Sequence, residues 1–430
     1  MAQFQTLAEW LAYLERLHPS TIELGLERVD QVRRRLDLAP AFPLITVGGT
    51  NGKGSTCAML EAILHAAGYR VGCYTSPHLL VYNERVRVGK RMASDAELCA
   101  AFEKIEAARS QAPEISLTYF EFGTLAAMLC FIAHGVDAAI LEVGLGGRLD
   151  AVNVFDADCA VVCTVDIDHA EYLGDTREKI AAEKAGIFRK GQAAVYGDAD
   201  MPQAIAARAE AVGASLWRLG AEFSYAAHGQ QWDYRGPAGA RTALPWPALR
   251  GAYQLNNASA ALAALDAVRE RLPVNMEAVR RGLAEAVPPG RFQVLPGRPM
   301  VVLDVAHNPQ AARALAQNLA ALPPAPRTYA VFAMLRDKDM AGVARALDGR
   351  INVWLVAGID APRGAQASEL AQVLRDSNVH GDIHTFVTAA DAMRYARNAA
   401  SENDRIAAFG SFYTVADVMR APEVTRGQTG

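Results

Sequence analysis

The segment from Leu44 to about Ala67 constrains the fold most strongly, because it reads as a strand, a glycine-rich loop and a helix in succession. The apolar run 44–47 is the strand, the loop is GGTNGKGS at 48–55, and an Ala/Leu-rich stretch follows. Glycines let backbone N–H groups turn toward an anion, and the positive end of the next helix adds to the attraction. Lys53 can reach phosphate groups, and a loop hydroxyl can bind Mg²⁺. The pattern predicts a nucleotide-binding α/β domain.

The loop departs from the standard phosphate loop in two ways. Val47 occupies the position of the first glycine, and Gly54 separates Lys53 from Ser55. A glycine-rich turn without a ligand is therefore the alternative interpretation. The position of the loop between a strand and a helix favours phosphate binding.

Two further apolar runs, 138–143 and 160–165, alternate with helical stretches and indicate a parallel sheet covered on both faces. Glu142 lies at the end of the first run, before several glycines. A carboxylate there is costly to bury without a cation, and the carboxyl ends of parallel strands are where ligands bind. Glu142 is therefore a candidate Mg²⁺ ligand, with helix capping or an ion pair as the alternative.

The segment Asp166–His169 follows the second of these runs, and Lys184 comes shortly after it. A lone histidine is more often structural than a ligand. Because the strand before His169 is expected to run parallel to the one that bears Glu142, we expect His169 at the same edge of the sheet. Lys184 by itself indicates little, since most lysines are solvated.

The Pro- and Gly-rich segment 287–299 predicts a domain boundary. We expect an N-terminal domain at 1–293 and a C-terminal α/β domain at 294–430. The secondary structure expected elsewhere is helix at 1–40, short antiparallel strands or a loop-rich insertion at 215–250, helix from about Asn256 to Arg271, and strands near 301–305, 328–334, 351–356 and 405–410.

Composition limits the class of protein and its surroundings. The net charge is −4 and the signs are interspersed, which argues against a nucleic-acid partner. No run of about 18 apolar residues indicates a membrane span, and the N-terminus resembles an amphipathic helix more than a signal peptide. The six cysteines form no C-x-x-C pair and are expected as reduced thiols. We therefore expect a cytoplasmic protein without nucleic-acid or membrane partners.

Taken together, the motifs resemble the Mur ligase superfamily and, more closely, its bacterial dihydrofolate synthase/folylpolyglutamate synthase family. That family's loop has the extra glycine, so the departure noted above supports the resemblance. The other matching segments are HPSTIELGLERV (18–29), TSPHL (75–79), NERVRV (83–88), LTYFEFGTLAA (117–127), LEVGLGGRLDAVN (141–153), DHAEYLG (168–174), EKAGIFR (183–189), PGRFQ (289–293), DVAHNP (304–309), MLRDKD (334–339) and GSFYTVA (410–416). They run in order along nearly the whole chain, most weakly at 200–250 and 360–400.

The resemblance implies a two-domain Mur-ligase-like α/β architecture, with an N-terminal P-loop ATPase domain and a smaller C-terminal Rossmann-like domain. It implies ATP-dependent ligation of L-glutamate to 7,8-dihydropteroate and to reduced folates through an acyl phosphate, within one-carbon metabolism. ATP and Mg²⁺ are the implied cofactors, with K⁺ as a further cation, and the implied state is a monomer. The alternatives are a folylpolyglutamate synthase only, another Mur-type amino-acid ligase, and a regulatory P-loop ATPase.

The resemblance also implies roles for individual residues. Those expected to bind ATP are Gly49, Thr50, Asn51, Gly52, Lys53, Gly54, Ser55, Asn257 (adenine), Arg291 (phosphate) and Asp304 (ribose). Those expected near metal are Ser55, Ser76, Glu142, His169 and Lys184. Lys184 would be a ligand only if carbamylated, because a charged amine repels a cation. The implied catalytic set is Lys53, Glu142, His169 and Lys184. Substrate contacts are expected from Arg85, Thr118, Phe120, His307 and Ser411, with a plain core role as the alternative for Phe120.

Overall fold

The computed structural model describes residues 4–20, 22–251 and 253–421. Thr21 of the matching segment 18–29 lies outside the described residues, as do 1–3 and 422–430 of the two expected domains. The chain forms two compact units: residues up to Ala248 with Leu255–Ala286, and Leu249–Gln254 with the residues from Val287 onward. Both are α/β, which confirms the fold class. The division at 293/294 stays a prediction.

The described residues form helices and strands that alternate along most of the chain. The helices are α1 Leu7–Leu17, α2 Glu27–Arg35, α3 Lys53–Ala66, α4 Asp95–Arg109, α5 Tyr119–His134, α6 Ala170–Leu173, α7 Arg177–Lys184, α8 Gln203–Val212, α9 Tyr253–Ala267, α10 Met276–Glu285, α11 Pro309–Ala321, α12 Met340–Leu347, α13 Ala367–Asp376, α14 Ala389–Ala399 and α15 Phe412–Arg420. The strands are β1 Leu44–Gly48, β2 Val71–Tyr74, β3 Val86–Val88, β4 Arg91–Met92, β5 Ala138–Glu142, β6 Cys159–Val162, β7 Ala193–Tyr196, β8 Ser215–Arg218, β9 Ser224–His228, β10 Gln231–Gly236, β11 Gly239–Pro245, β12 Gln293–Leu295, β13 Met300–Leu303, β14 Thr328–Phe332, β15 Val353–Ala357, β16 Asp382–Phe386 and β17 Arg405–Phe409.

The large sheet of the first unit has the order β4-β3-β2-β5-β1-β6-β7-β8 within the described residues. The six neighbouring strands β2, β5, β1, β6, β7 and β8 are parallel, whereas β3 and β4 are antiparallel additions at one edge. The apolar runs became buried central strands, as expected for a sheet covered on both faces. The chain continues from β1 toward β2 on one side and from β6 toward β7 on the other. Such a reversal opens a crevice at the carboxyl ends of β1 and β6.

The segment 215–250 contains a separate antiparallel sheet, β11-β10-β9, as expected in part. The expectation was wrong for β8, which pairs in parallel with β7 at the edge of the large sheet. No residue of β8 is fully buried, so the apolar pattern that distinguishes a parallel strand is weak there.

The sheet of the second unit has the order β12-β13-β17-β14-β15-β16 among its described residues. Strands β13, β14, β15 and β17 lie where the sequence predicts strands. The sequence did not predict β16, because this edge strand contains no fully buried residue and has no apolar run. The short strand β12, which pairs antiparallel with β13, lies in the Pro- and Gly-rich segment 287–299, where the sequence predicts a domain boundary.

The helical expectation for 1–40 is correct in type but not in extent, because two helices, α1 and α2, occupy the segment. A capping box formed by Thr6 and Glu9 begins α1, and Pro19 follows its end. The expected thiols are confirmed: the six cysteines are free, and all but Cys99 are buried. No helix within the described residues is both long and apolar enough to cross a bilayer.

Candidate functional site

The glycine-rich loop between β1 and α3 is shaped by the segment that follows β6. Thr50 donates its backbone N–H to the Thr164 carbonyl oxygen (2.8 Å), and the Asn51 N–H donates to Thr164 Oγ1 (3.1 Å). The Thr50 hydroxyl donates to the Asp166 carbonyl oxygen (3.0 Å). The neighbouring strand therefore holds the loop in place at the crevice.

Two loop positions require glycine. Gly49 has φ +143° and Gly52 has φ +90°, which other residues rarely adopt. A Cβ on Gly49 would lie 3.1 Å from the Cβ of Cys163, and one on Gly52 would lie 2.5 Å from Oδ1 of Asn257. The structure thus brings Asn257, on the first turns of α9, directly onto the loop.

The Lys53 ammonium lies over the same loop. Its Nζ donates to the carbonyl oxygens of Gly49 (2.9 Å) and Thr50 (3.3 Å). Ser55 is buried in the first turn of α3. A positive side chain and the N-terminal end of a 14-residue helix therefore meet where an anion would bind.

We expect Gly52→Ala to weaken the binding of an ATP analogue by about tenfold or more, because a Cβ must displace Asn257 and distort the loop. The strained φ should also lower the free energy of unfolding by about 1–3 kcal/mol. Isothermal calorimetry and urea denaturation measure the two effects.

Gly68→Ala is the matched control, because Gly68 has φ +95° with nothing within 4 Å of an added Cβ. It introduces similar backbone strain without a contact. Equal losses of nucleotide affinity in the two variants would show that the contact with Asn257 has no effect on binding.

Glu142 ends β5 directly beside Val47 of β1 in the strand register. Its side chain is only 2% exposed, and its Oε2 accepts the backbone N–H of Ser76 (2.9 Å). The structure therefore brings Ser76 and Glu142 together at the carboxyl end of β5. Both β1 and β5 deliver their carboxyl ends to this point.

These groups fit a divalent cation that arrives with phosphate. In the part of the chain that the structure describes, no group of three or more His, Cys, Asp or Glu side chains could enclose a metal by itself. Mg²⁺ is commonly held by one or two carboxylates, with substrate phosphates and water completing its shell. A single buried carboxylate, Glu142, beside the strand that leads into the phosphate loop matches that chemistry.

Lys184 ends α7 with its side chain buried. Burial, and next the positive charge of Lys53, lower the pKa of the Lys184 amine to about 7. A Cβ on Gly147 would lie 2.9 Å from the carbonyl oxygens of both Glu183 and Lys184. The glycine segment after Glu142 therefore packs on the backbone of Lys184 and fixes it.

The thiol of Cys163 lies beneath the loop, and several charged side chains of the site affect its pKa. Burial raises its pKa to about 11, with smaller contributions from the Thr56 hydroxyl and from Lys53, Glu142 and Lys184. Three of the four residues in the implied catalytic set are thus close enough to act on one buried atom.

His169 caps α6 in the left-handed conformation (φ 51°). This conformation is uncommon for residues other than glycine, and it concentrates at functional sites. Its backbone N–H donates to Asp168 Oδ1 (2.9 Å), and the same segment, 164–169, binds the loop. The structure therefore places His169 in the loop's neighbourhood, and its role as a ligand stays a prediction.

Arg87 was not selected from the sequence, although it lies in the matching segment 83–88. Its guanidinium donates to both carboxylate oxygens of Glu61 on α3 (2.9–3.1 Å) and to the Thr75 hydroxyl (3.0 Å). Because Thr75 precedes Ser76, this ion pair connects the helix of the phosphate loop to the Ser76 segment. The available signal was Glu61, a carboxylate within an otherwise apolar stretch of α3.

Asp150 was also missed as a site residue. Its carboxylate accepts the backbone N–H groups of Leu145 (2.8 Å) and Val152 (3.1 Å). Burial raises its pKa to about 6, against the effect of these hydrogen bonds. Asp150 therefore shapes the glycine segment that follows Glu142.

The side chains expected to contact the substrate in the first unit have different surroundings. The Phe120 ring lies against Gly144, where a Cβ would be 2.7 Å from its Cζ. The Arg85 guanidinium lies 5.4 Å from the ring centroids of both Tyr82 and Tyr119. The structure thus brings Phe120 to the Glu142 segment and places Arg85 beside the rings of Tyr82 and Tyr119.

Thr118 is buried and caps α5. Its hydroxyl accepts the Glu121 N–H (3.2 Å), and the Glu121 carboxylate accepts the Thr118 N–H (2.7 Å). This capping box stabilises the helix that carries Phe120. A substrate contact by Thr118 stays a prediction.

In the second unit, Asp304 and His307 follow β13 and Ser411 follows the adjacent parallel strand β17, whereas Arg291 precedes β12. Asp304 accepts the N–H groups of Phe292 (2.8 Å) and Ala306 (2.7 Å), and burial raises its pKa. Arg291 lies 5.3 Å over the Phe412 ring. Arg291 and Asp304 therefore lie close together at one edge of this sheet.

His307 and Ser411 lie at the same edge. The His307 ring is 6.3 Å from the Phe412 ring, and its Nδ1 lies 2.8 Å from the Val305 carbonyl oxygen. Because that oxygen only accepts, Nδ1 is the donor in this hydrogen bond. The Ser411 hydroxyl accepts the Thr414 N–H (3.0 Å) and caps α15.

Comparisons with known proteins give consistent matches. Residues 47–265 match the Mur ligase middle domain, and 290–412 match the glutamate ligase domain of Mur ligases. The Escherichia coli (strain K12) protein named dihydrofolate synthase/folylpolyglutamate synthase is 46% identical over 98% of this chain and 96% of its own length. The Bacillus subtilis (strain 168) protein of that name is 31% identical over 93% of this chain and 95% of its own.

Among solved structures, E. coli FolC in complex with DHPP and ADP has a TM-score of 0.93 at 46% identity, covering 98% of this chain and 99% of that one. A bifunctional folylpolyglutamate synthase/dihydrofolate synthase from Yersinia pestis, complexed with AMPPNP and Mn ion, has a TM-score of 0.89 at 48% identity. The match covers 97% of this chain and 98% of the Yersinia chain.

Proposed function

The chain belongs to the dihydrofolate synthase/folylpolyglutamate synthase family of Mur ligases, and we propose that it uses ATP and a divalent metal to ligate L-glutamate to 7,8-dihydropteroate and to reduced folates. The observation that carries this proposal is that Lys53 lies over the phosphate loop, Glu142 ends the strand beside Val47, and the glycine segment after Glu142 packs on Lys184. A regulatory ATPase would need the loop but not a buried carboxylate and a buried amine of lowered pKa near it.

Unaided condensation of a carboxylate with an amine is slow near neutral pH, because the carboxylate is a poor electrophile. A substrate carboxylate oxygen would therefore attack the γ-phosphorus of ATP, giving an acyl phosphate and ADP. The amine of glutamate then attacks the acyl carbon and loses a proton, the amide bond forms, and phosphate leaves. Positioning and neutralisation of charge account for most of such catalysis.

The loop amides and Lys53 would hold the phosphates during the first step. At present the Lys53 ammonium donates to two loop carbonyl oxygens, so it would exchange these bonds for phosphate oxygens. A divalent cation held near Glu142, Ser76 and Ser55 would neutralise negative charge on the transferred group. The role of the protein at that point is to fix these ligands through the Ser76 N–H and the Arg87 pair.

Lys184 is suited to carbamylation. A pKa of about 7 leaves a substantial neutral fraction of the amine near neutral pH, and only the neutral amine reacts with carbon dioxide. The product is a carbamate, whose oxygen atoms attract a cation where the ammonium repels it. We propose that the carbamate of Lys184, with His169, completes a second metal position.

In the second unit, Arg291 is proposed to bind phosphate and Asp304 the ribose hydroxyls. His307 and Ser411 are proposed for the glutamate or acyl-phosphate region. Phe120 is proposed to stack on the pterin, with Arg85 and Thr118 near it and Asn257 near the nucleotide. We also propose a cytoplasmic monomer without nucleic-acid partners, and K⁺ as an accessory cation.

The decisive experiment supplies the purified protein with ATP, Mg²⁺ and L-glutamate, and with dihydropteroate or a reduced folate monoglutamate in parallel reactions. Mass spectrometry of each acceptor should detect the addition of a glutamyl unit to both. Extension of the folate alone would reduce the assignment to a folylpolyglutamate synthase. ATP binding without extension of either acceptor would contradict the proposed substrates.

A further inference from the structure

The antiparallel sheet β9–β11 has no part in the mechanism above, yet each of its strands contacts α9. The Tyr225 hydroxyl on β9 donates to Asn256 Oδ1 (2.9 Å). The Tyr234 hydroxyl on β10 donates to Asp266 Oδ2 (2.8 Å). Arg241 on β11 forms an ion pair with Asp266, with 2.7 Å between Nη2 and Oδ1.

Buried contacts at Asp266 hold the β9–β11 sheet against α9. Tyr234 and Asp266 are buried, and the Arg241 guanidinium lies 5.5 Å from the Tyr234 ring centroid. A buried carboxylate needs its charged and hydrogen-bonding partners, so separation of the sheet from α9 would be strongly unfavourable. The sheet is therefore fixed along α9, and its first strand reaches the N-terminal turns of that helix.

Those turns are where α9 meets the phosphate loop. Asn257, the neighbour of Asn256, is buried with its Oδ1 against Gly52. Gly52 is the N-cap of α3, and its carbonyl oxygen accepts the Thr56 N–H (2.9 Å). A shift of the first turns of α9 would therefore change the contact that confines the loop.

We propose that Tyr225 is a positioning residue for the nucleotide: its hydrogen bond to Asn256 fixes the first turns of α9 and so sets Asn257 against the phosphate loop. The inference rests on the proposed function in one respect, that this loop binds the phosphates of ATP. The Asp266 attachment holds the sheet in place without Tyr225. The Tyr225 bond is half-buried and belongs to the end of α9 that faces the loop.

The test is Tyr225→Phe, which removes one hydroxyl. We expect the dissociation constant for ADP, measured by isothermal calorimetry, to rise about 3- to 10-fold, the range for one neutral hydrogen bond. The KM for ATP should rise in parallel, while kcat and the KM values for glutamate and the pterin acid stay unchanged. A purely structural role would instead lower the urea midpoint without this selectivity.

Tyr13→Phe is the matched control, because the Tyr13 hydroxyl also donates to a half-buried side chain, Glu106 (3.1 Å), but on α1 and α4. It should leave ADP affinity unchanged. Asn256→Ala gives a second route to the same bond and remains informative if Tyr225→Phe folds poorly. The double variant should bind ADP no more weakly than Asn256→Ala alone.

Unchanged ADP affinity in Tyr225→Phe and Asn256→Ala, or additive losses in the double variant, would overturn the inference. So would a wild-type protein that binds no ADP. Failure of the proposed function looks different: a wild-type protein that binds ADP but extends neither acceptor leaves the comparison of ADP affinities intact.

Discussion

Glu142→Gln is expected to abolish ligation, lowering turnover by about 10³-fold or more, while the fold stays intact. Glutamine has nearly the same shape, and its carbonyl oxygen can still accept the Ser76 N–H that now bonds Oε2. The negative charge that would attract a divalent cation to this buried position is lost. Phosphate release that depends on both acceptor and glutamate measures turnover, and circular dichroism with urea denaturation measures the fold.

The control for this prediction is Glu97→Gln. Glu97 belongs to the capping box of α4 and contacts His134 near the surface, so it tests loss of a carboxylate elsewhere in the same unit. It should cost about 1 kcal/mol of stability or less and leave turnover unchanged. Near wild-type ligation by a normally folded Glu142→Gln protein would exclude Glu142 as a metal ligand.

Lys184→Met should have opposite effects on activity and stability. Ligation should be lost, and the protein should become more stable. A pKa lowered by burial to about 7, from 10.5, means that the folded state opposes the charged amine. Methionine fills a similar volume without that penalty. We expect a gain of about 2–4 kcal/mol in the free energy of unfolding near neutral pH, in buffer without metal or carbon dioxide.

The effect of Lys184 on the free energy of unfolding changes with pH in a defined direction. Between about pH 7 and pH 10.5 the unfolded chain binds more protons at Lys184 than the folded chain does. The wild type therefore gains stability as the pH rises through this window. The advantage of Lys184→Met should be complete at about pH 7 and below, and should shrink toward pH 10.5. Urea denaturation of both proteins across that range measures it.

Lys179→Met is the matched control on the same helix. Lys179 is exposed and forms an i,i+4 ion pair with Asp175, so its replacement should change stability by less than about 0.5 kcal/mol and leave activity intact. If Lys184→Met is less stable than the wild type by the same free energy at every pH, burial of the Lys184 amine does not oppose its charged form. If it keeps full activity, Lys184 has no role in ligation.

The sequence was informative where local chemistry is strong. The run 44–47, the loop and the helix after it became β1 and α3 with almost the expected bounds. The apolar patterns of β5 and β6 are those of buried parallel strands. Edge elements were harder to predict, since β8 and β16 are only partly buried and lack the apolar run that distinguishes central strands.

The sequence by itself determined the α/β class, the phosphate loop and the candidate residues Glu142, His169 and Lys184. These features depend on neighbouring residues or on motifs that stand intact in the chain. It also determined the family, through motifs spread in order over nearly its whole length.

Only the tertiary structure decided which distant groups share the loop. Asn257 lies against Gly52 although about two hundred residues separate them, and Arg87 joins Glu61 to the Ser76 segment. The lowered pKa of Lys184 likewise depends on burial and on the nearness of Lys53. Burial and long-range electrostatics are properties of the packed chain, because the desolvation that alters a charge exists only once other segments exclude water from it.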